Sequence, residues 1–281
     1  MAITINEIKQ LRDMTGAGMG DCKKALEASN GDMEGAIDFL RKLGQKLSVK
    51  RADRDAKEGV CIALTDHYRN KGIVIKLGCE TDFVAKTDKF VAMATVIAEA
   101  ALQHTPETVD GVLALPYEKE GITIGEKISE QTGVIGEKLE LSNYESIVTK
   151  AGEGQVIPYV HAGNRAAVII GLNLEGTDLI EAGKNVAMQV AAMKPVAVDK
   201  DGVSKETIDR EIEIGKEQAR AEGKPEEMIE KIALGKLNRF YKDSTLLNQD
   251  YVKDGKMNVA AYLNSTKKGL TVTAFKHVAL G

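Results

Sequence analysis

The chain contains one long internal repeat. "EGVCIALTDHYRNKGIVIKLGCETDFVAKTDKFVAM" (58–93) and "EGQVIPYVHAGNRAAVIIGLNLEGTDLIEAGKNVAM" (153–188) share a single layout. Each reads as a strand, a polar turn, a second strand of β-branched residues, a turn containing Thr-Asp, and a helix containing Val-Ala-Met. Gly59 aligns with Gly154, Asp82 with Asp178, and Val91-Ala92-Met93 with Val186-Ala187-Met188. Two copies are too few for a solenoid, whose units need several neighbours to bury a continuous core. The pattern therefore predicts two related α/β subdomains. With 281 residues the chain also exceeds what one ordinary core accommodates, so two or three domains are expected.

Ahead of the repeat, residues 4–43 read as three short helices. Thr4 and Glu7 are spaced as a capping box, and Ile5, Ile8 and Leu11 share a helical face. "TGAGMGD" breaks the helix, a stripe follows at Cys22, Ala25 and Leu26, and Asp32 is placed to cap a helix carrying Met33, Ala36, Ile37 and Leu40. Residues 45–57 carry mixed charge and few apolar side chains, which predicts an exposed connector; a basic patch for RNA is the alternative, diluted by Asp53 and Asp55. Between the copies, residues broken by Pro106, Pro116 and several glycines read as short helices. After the second copy, residues at about 203–243 are highly charged and helix-favouring, divided once at "EGKP". Ile208, Ile212, Gly215 and Ala219 can face Ile229, Ile232 and Phe240 along a seam too narrow to bury anything else, so an antiparallel hairpin should project from the body. "NVAAYLNS" reads as a short helix and "LTVTAFKHVAL" as a closing strand. The expected fold class is α+β. A three-helix unit occupies 1–44 and a charged linker 45–57; one core subdomain spans 58–150 and a second spans 151–281, with the hairpin arising from it.

Several function classes lack support. Lys and Arg number 38 against 42 Asp and Glu, a net charge of −4, whereas gripping nucleic-acid phosphate needs a basic surplus; direct nucleic-acid binding is not expected. Cys22, Cys61 and Cys79 are odd in number and irregular in spacing, which suits free thiols in a reducing, cytoplasmic compartment. "MAITINEIKQL" turns charged at Glu7 and Lys9 and lacks the apolar stretch of a secretory signal, and no run has the length of a membrane span. His67, His104, His161 and His277 are far apart and none is spaced as a metal pair. "GAGMG" carries no lysine at the phosphate-binding position. No catalytic, cofactor or metal site is legible; an enzyme whose residues meet only in the fold is the competing reading.

"TDFVAKTD" (81–88) poses the sharpest question, because a chain with 5 Phe and no Trp places a phenylalanine beside Asp82, directly after a strand. The other copy has Asp178-Leu179. An apolar residue follows the acid in both, so its simplest role is to staple the entering chain onto the next helix. The other reading is a ring displayed for a partner.

"LRDMTGAGMGDCKKALEASNGDMEGAIDFLRK" (11–42) and "GCETDFVAKTDKF" (78–90) closely resemble the translation elongation factor Ts family. The duplicated core, the hairpin and the closing strand extend the likeness over nearly the whole chain. The resemblance implies a ubiquitin-associated-like N-terminal domain, a coiled-coil hairpin, and a guanine-nucleotide exchange function without an active site. The implied partner is elongation factor Tu, GDP-bound or nucleotide-free, with this protein a monomer or weak dimer within the complex. It implies that the turn Thr81, Asp82, Phe83, Val84 enters the partner near its Mg²⁺ site, with the Phe83 ring as a wedge. That role requires the ring to be accessible. Further contacts implied are Arg12, Met19 and Lys23 on the N-terminal unit, Ile135 and Gly136 in "GVIGEK", His161 in "YVHAG", and Val252 after the hairpin.

Three features depart from the family pattern: Gly20 where a bulky residue is usual, Lys253 where an apolar one is common, and a last residue, Gly281, where some members continue into a further helix. They bear on the strength of the complex. Two other function classes compete: an adaptor acting through residues 1–57, and a hydrolase or transferase with polar groups converging between the two copies.

Overall fold

A computed structural model describes residues 3–118 and 121–281. The first two residues of the opening "MAITINEIKQL" and Lys119–Glu120 of the expected helical connector lie outside the described residues.

Three helices come first: α1 (Ile5–Thr15), α2 (Met19–Ala28) and α3 (Met33–Lys50). The Thr4–Glu7 capping box forms in both directions, and the Asp32 side chain accepts from Gly35 N–H. Ile8, Leu11, Cys22, Ala25, Leu26, Ala36 and Leu40 close a small core, whereas Ile5 in the first turn stays exposed. The connector needs correction. Residues 45–50 continue α3, and only 51–57 are irregular. Charge alone suggested a linker, but Gly44 presses α3 onto a helix of the body. A Cβ at Gly44 would lie 2.6 Å from the backbone oxygen of Ser129, and one at Gly133 would lie 2.6 Å from Gly44 Cα. Such backbone-to-backbone approach holds the helical unit against the rest.

The body is built from two antiparallel sheets of three strands. β1 (Glu58–Thr65), β2 (Lys71–Cys79) and β3 (Glu140–Val148) form the first, with β2 central. β4 (Gln155–Val160), β5 (Ala166–Leu172) and β8 (Val272–Ala279) form the second, with β5 central. Between β2 and β3 run α4 (Asp82–Ala85), α5 (Asp88–His104), α6 (Val109–Leu113) and α7 (Ile124–Ile135). Between β5 and β8 run α8 (Ile180–Met193), α9 (Lys205–Ala221), α10 (Glu226–Ser244), the short pair β6 (Asp250–Tyr251) and β7 (Asp254–Asn258), and α11 (Val259–Thr266).

Alternation along the strands explains the stacking. On β1, Val60 and Ile62 face α5 while Cys61 and Ala63 face the other sheet; on β5, Val168, Ile170 and Leu172 face α8 while Ala167 and Ile169 face back. The result is four layers, helix–sheet–sheet–helix, and strands apolar on both faces. Strand β3 has no counterpart among the expected elements. Its Leu141 and Tyr144 both join the helix-facing core although three residues apart, because the register slips between Lys76 and Leu77. The second sheet slips correspondingly between Gly171 and Leu172. Gly59 (φ 141°) and Gly154 (φ 136°) open their strands in the same conformation, where a Cβ would strike the carbonyl oxygen of Leu77 or Leu172.

Helices α9 and α10 pair along Gly215, Ala219, Ile229, Ala233 and Leu237, and α10 meets the body at the short turn Leu246–Asn248. The seam differs in part from the expected one. Ile208, Ile212, Ile232 and Phe240 are only half-buried, since small residues bring the backbones together and push larger side chains outward.

All three thiols are buried and free. Burial pushes Cys61 up to about 11 and Cys79 up to about 12, so at pH 8 roughly one thiol in a thousand or fewer is thiolate at either site. Labelling with a thiol-exchange reagent at pH 8 should therefore be slow in the native protein and complete in denaturant. Rapid native labelling of Cys61 or Cys79 would contradict this packing.

Candidate functional site

The β2–α4 turn is shaped by a threonine. Thr81 is extended (φ −123°, ψ 151°) and its hydroxyl accepts from Val84 N–H at 3.4 Å, capping the four-residue helix Asp82–Ala85. Asp82 lies in the first turn of α4, where a negative charge suits the helix dipole. Lys86 Nζ donates to Asp82 Oδ2 at 2.6 Å and holds that carboxyl below its ordinary range. Val84 turns inward and packs on the core beneath α5. Phe83 turns outward and is 82% exposed.

The two copies part here. Leu179, which aligns with Phe83, is 0% exposed and belongs to the core under α8. The stapling role suggested by the apolar residue after each acid is therefore filled by Leu179 in the second copy and not by Phe83 in the first. A phenyl ring left in water forgoes about 1.5–3 kcal/mol of burial.

Beside this turn a cleft of about 780 Å³ opens between the C-terminal end of α1, the α4–α5 corner and α7. Arg12, Val84 and Ile135 all line it, with Met14, Lys89 and Met93. Three of the expected contact residues, far apart in sequence, thus border one concavity next to Phe83. Gly136 ends α7 in the left-handed conformation (φ 80°), a cap as well as a candidate contact. Met19 and Lys23 stand on α2 and do not line the cleft; Met19 is 38% exposed, and Lys23 pairs with Glu27 at 3.7 Å.

His161 and Val252 lie in the second half and do not line this cleft. His161 N–H donates to Ala166 O at 2.8 Å in the β4–β5 turn, and its Nδ1 is 2.9 Å from Tyr159 Oη. Val252 sits at the β6–β7 turn, where its N–H donates to the buried Gln189 Oε1 at 2.9 Å. Its side chain is 47% exposed, so it is displayed rather than serving as a buried anchor. Lys253 Nζ donates to Asn185 Oδ1 at 2.7 Å, which points it back onto α8.

The buried interface between the two sheets is apolar, and the Lys276–Glu145 ion pair at 2.6 Å joins the sheets where both side chains are solvent-accessible. That interface is Cys61, Ala63, Val74, Ile147, Val156, Ala167, Ile169 and Val278. Among the described residues no group of three His, Cys, Asp or Glu side chains is gathered as metal ligands would be, and no helix is long and apolar enough to cross a membrane. Glu80 and Glu137, which flank the turn, are the residues that sequence reading missed. Their partners lie 56 and 58 positions away, beyond any local spacing rule.

A family model described as Elongation factor TS matches residues 80–281. The chain is 50% identical over 279 residues to "Elongation factor Ts" of Christiangramia forsetii, covering 99% of each. It is 50% identical to the protein of the same name from Cytophaga hutchinsonii, again covering 99% of each, and 48% identical to that of Amoebophilus asiaticus over the full length of both.

Proposed function

The chain belongs to the elongation factor Ts family, and from that premise we propose that it is a guanine-nucleotide exchange factor for elongation factor Tu, acting by protein–protein contact with no covalent step. One observation carries the mechanism: Phe83 is displayed on a capped turn beside a cleft, where the aligned Leu179 is sealed in the core.

In this reading the Phe83 ring enters an apolar gap in the nucleotide domain of the partner. Its burial there supplies the 1.5–3 kcal/mol forgone in the free protein, of order one tenfold change in affinity or more. Displacing the elements that hold Mg²⁺ removes an ion bridging the phosphate oxygens, so GDP leaves. Linkage sets the rest. A factor that weakens nucleotide binding is itself weakened equally by nucleotide, so it holds the empty partner tightly and is ejected when GTP enters. Arg12, Met19, Lys23, Ile135 and Gly136 would extend the contact on the first half, and His161 and Val252 on the second. We read the two sheets with their covering helices as duplicated subdomains. The ubiquitin-associated-like unit then extends to Lys50, and the hairpin is a projecting coiled coil.

The adaptor reading is disfavoured by α3, which Gly44 seats on the body so that α1 forms one wall of the cleft. The test is release of labelled GDP from elongation factor Tu. Catalytic amounts of this protein should accelerate release, and excess GDP should elute elongation factor Tu from the immobilised protein. No acceleration at any concentration would overturn the proposal.

A further inference from the structure

We infer that Glu80 and Glu137 are positioning residues, a crossed pair of carboxylates that holds the Phe83 turn in its presenting conformation. Its functional consequence rests on the exchange-factor reading, but its geometry does not.

Glu80 directly precedes the turn, and Glu137 follows Gly136 at the end of α7. Each carboxylate reaches across to take a backbone amide of the other segment. Thr81 N–H donates to Glu137 Oε2 at 3.0 Å, and Lys138 N–H donates to Glu80 Oε1 at 2.6 Å. The Thr81 hydroxyl donates to Glu137 Oε1 at 2.7 Å. A hydroxyl has one proton to give, so committing it to Glu137 leaves the oxygen lone pairs for Val84 N–H, the bond that caps α4. Glu137 thus sets the rotor that starts the helix carrying Phe83.

The second carboxylate ties in a third segment. Arg51 Nη1, at the end of α3, donates to Glu80 Oε1 at 2.6 Å, and Lys138 Nζ donates to Ala52 O at 2.9 Å. The Lys138 N–H in first place, with the Arg51 guanidinium assisting against burial, holds the Glu80 carboxyl below its usual range. Both acids are half-buried, and hydrogen bonds to ionised acceptors are about twice as strong as neutral ones. Short loops fixed this way keep a protruding side chain in one orientation before its partner arrives, which lowers the ordering cost at the encounter. The clasp thereby joins the end of α3 to the turn and to the end of α7, and the last two border the cleft through Val84 and Ile135.

Glu137→Ala separates this role from general stability. Hydrogen exchange on the free protein should show the Thr81 and Val84 amides exchanging about tenfold faster or more, with the β1–β2 ladder unchanged. Maximal GDP release at saturating protein should fall about tenfold, while the half-saturating concentration moves less than about threefold. A merely unfolded fraction would instead raise the apparent half-saturating concentration and leave the maximum. Glu137→Gln, which keeps one acceptor oxygen, should recover part of the loss. In a Phe83→Ala background Glu137→Ala should cost nothing further. Unchanged amide exchange in Glu137→Ala, or an equal loss with and without Phe83, overturns the inference. If the unsubstituted protein fails to release GDP, the exchange-factor reading falls, and the amide measurement still decides the clasp.

Discussion

Phe83→Ala should abolish most of the acceleration of GDP release and leave the fold untouched. The ring is 82% exposed, so truncating it removes little that the free protein has buried, and stability should stay within about 0.5 kcal/mol of the parent. The effect belongs to the complex. An aromatic that becomes fully desolvated at an interface typically costs about 2 kcal/mol or more when truncated, roughly thirtyfold in rate if that energy is expressed in the displaced state. Phe83→Leu should retain part of the activity, because a smaller apolar side chain still fills some of the gap. The aligned position offers an internal contrast. Leu179→Ala empties a sealed core site and should destabilise by about 2–5 kcal/mol. Equal stability losses at the two positions, or equal GDP release by the parent and Phe83→Ala, would remove the wedge from the account.

That contrast also marks the limit of what the sequence discloses. The repeat made the two strand–turn–strand units and their following helices legible, because period and turn chemistry are local signals. Gly59 and Gly154 aligned in sequence and share one backbone conformation, so the similarity of the halves was readable from a single residue type. The opposite fates of Phe83 and Leu179 were not readable. Both are apolar residues after an aspartate, and the residue that follows, Val84 or Ile180, packs on the core in either copy, so no local pattern separates them. Strand β3 escaped because its bulge breaks the period-two pattern between Leu141 and Tyr144. Of the expected hairpin seam, Gly215, Ala219 and Ile229 are buried, and Ala233 and Leu237 complete it in place of Ile232 and Phe240. Glu80 and Glu137 carry no local signature at all; their pairing exists only once the two loops are adjacent. Of the expected contacts, Arg12, Val84 and Ile135 meet at one cleft, while His161 and Val252 stand apart on turns of the second half.

Gly44→Val should produce the reverse signature of Phe83→Ala. Even the Cβ would lie 2.6 Å from the Ser129 backbone oxygen and 3.2 Å from Glu130 Cα, atoms that cannot turn aside as a side chain does. Helices α3 and α7 must then separate, and overpacking of this kind costs about 1–3 kcal/mol. Heating should consequently reveal an earlier transition for the helical unit, its thin core of Leu11, Leu26 and Leu40 no longer supported by Val134 of α7. Arg12, Met19 and Lys23 move with that unit, so under the exchange reading their contribution to docking is lost. The half-saturating concentration should rise by roughly thirtyfold, the value of one or two good interface anchors. The maximal release rate should stay within about twofold, because Phe83, Thr81 and Glu137 all belong to the body. An adaptor working through its N-terminal helices alone would behave otherwise: a detached but folded unit would keep its own binding, and Phe83→Ala would change nothing. A loss of maximal rate in Gly44→Val with unchanged half-saturation would mean that the helical unit, rather than the exposed ring, performs the displacement.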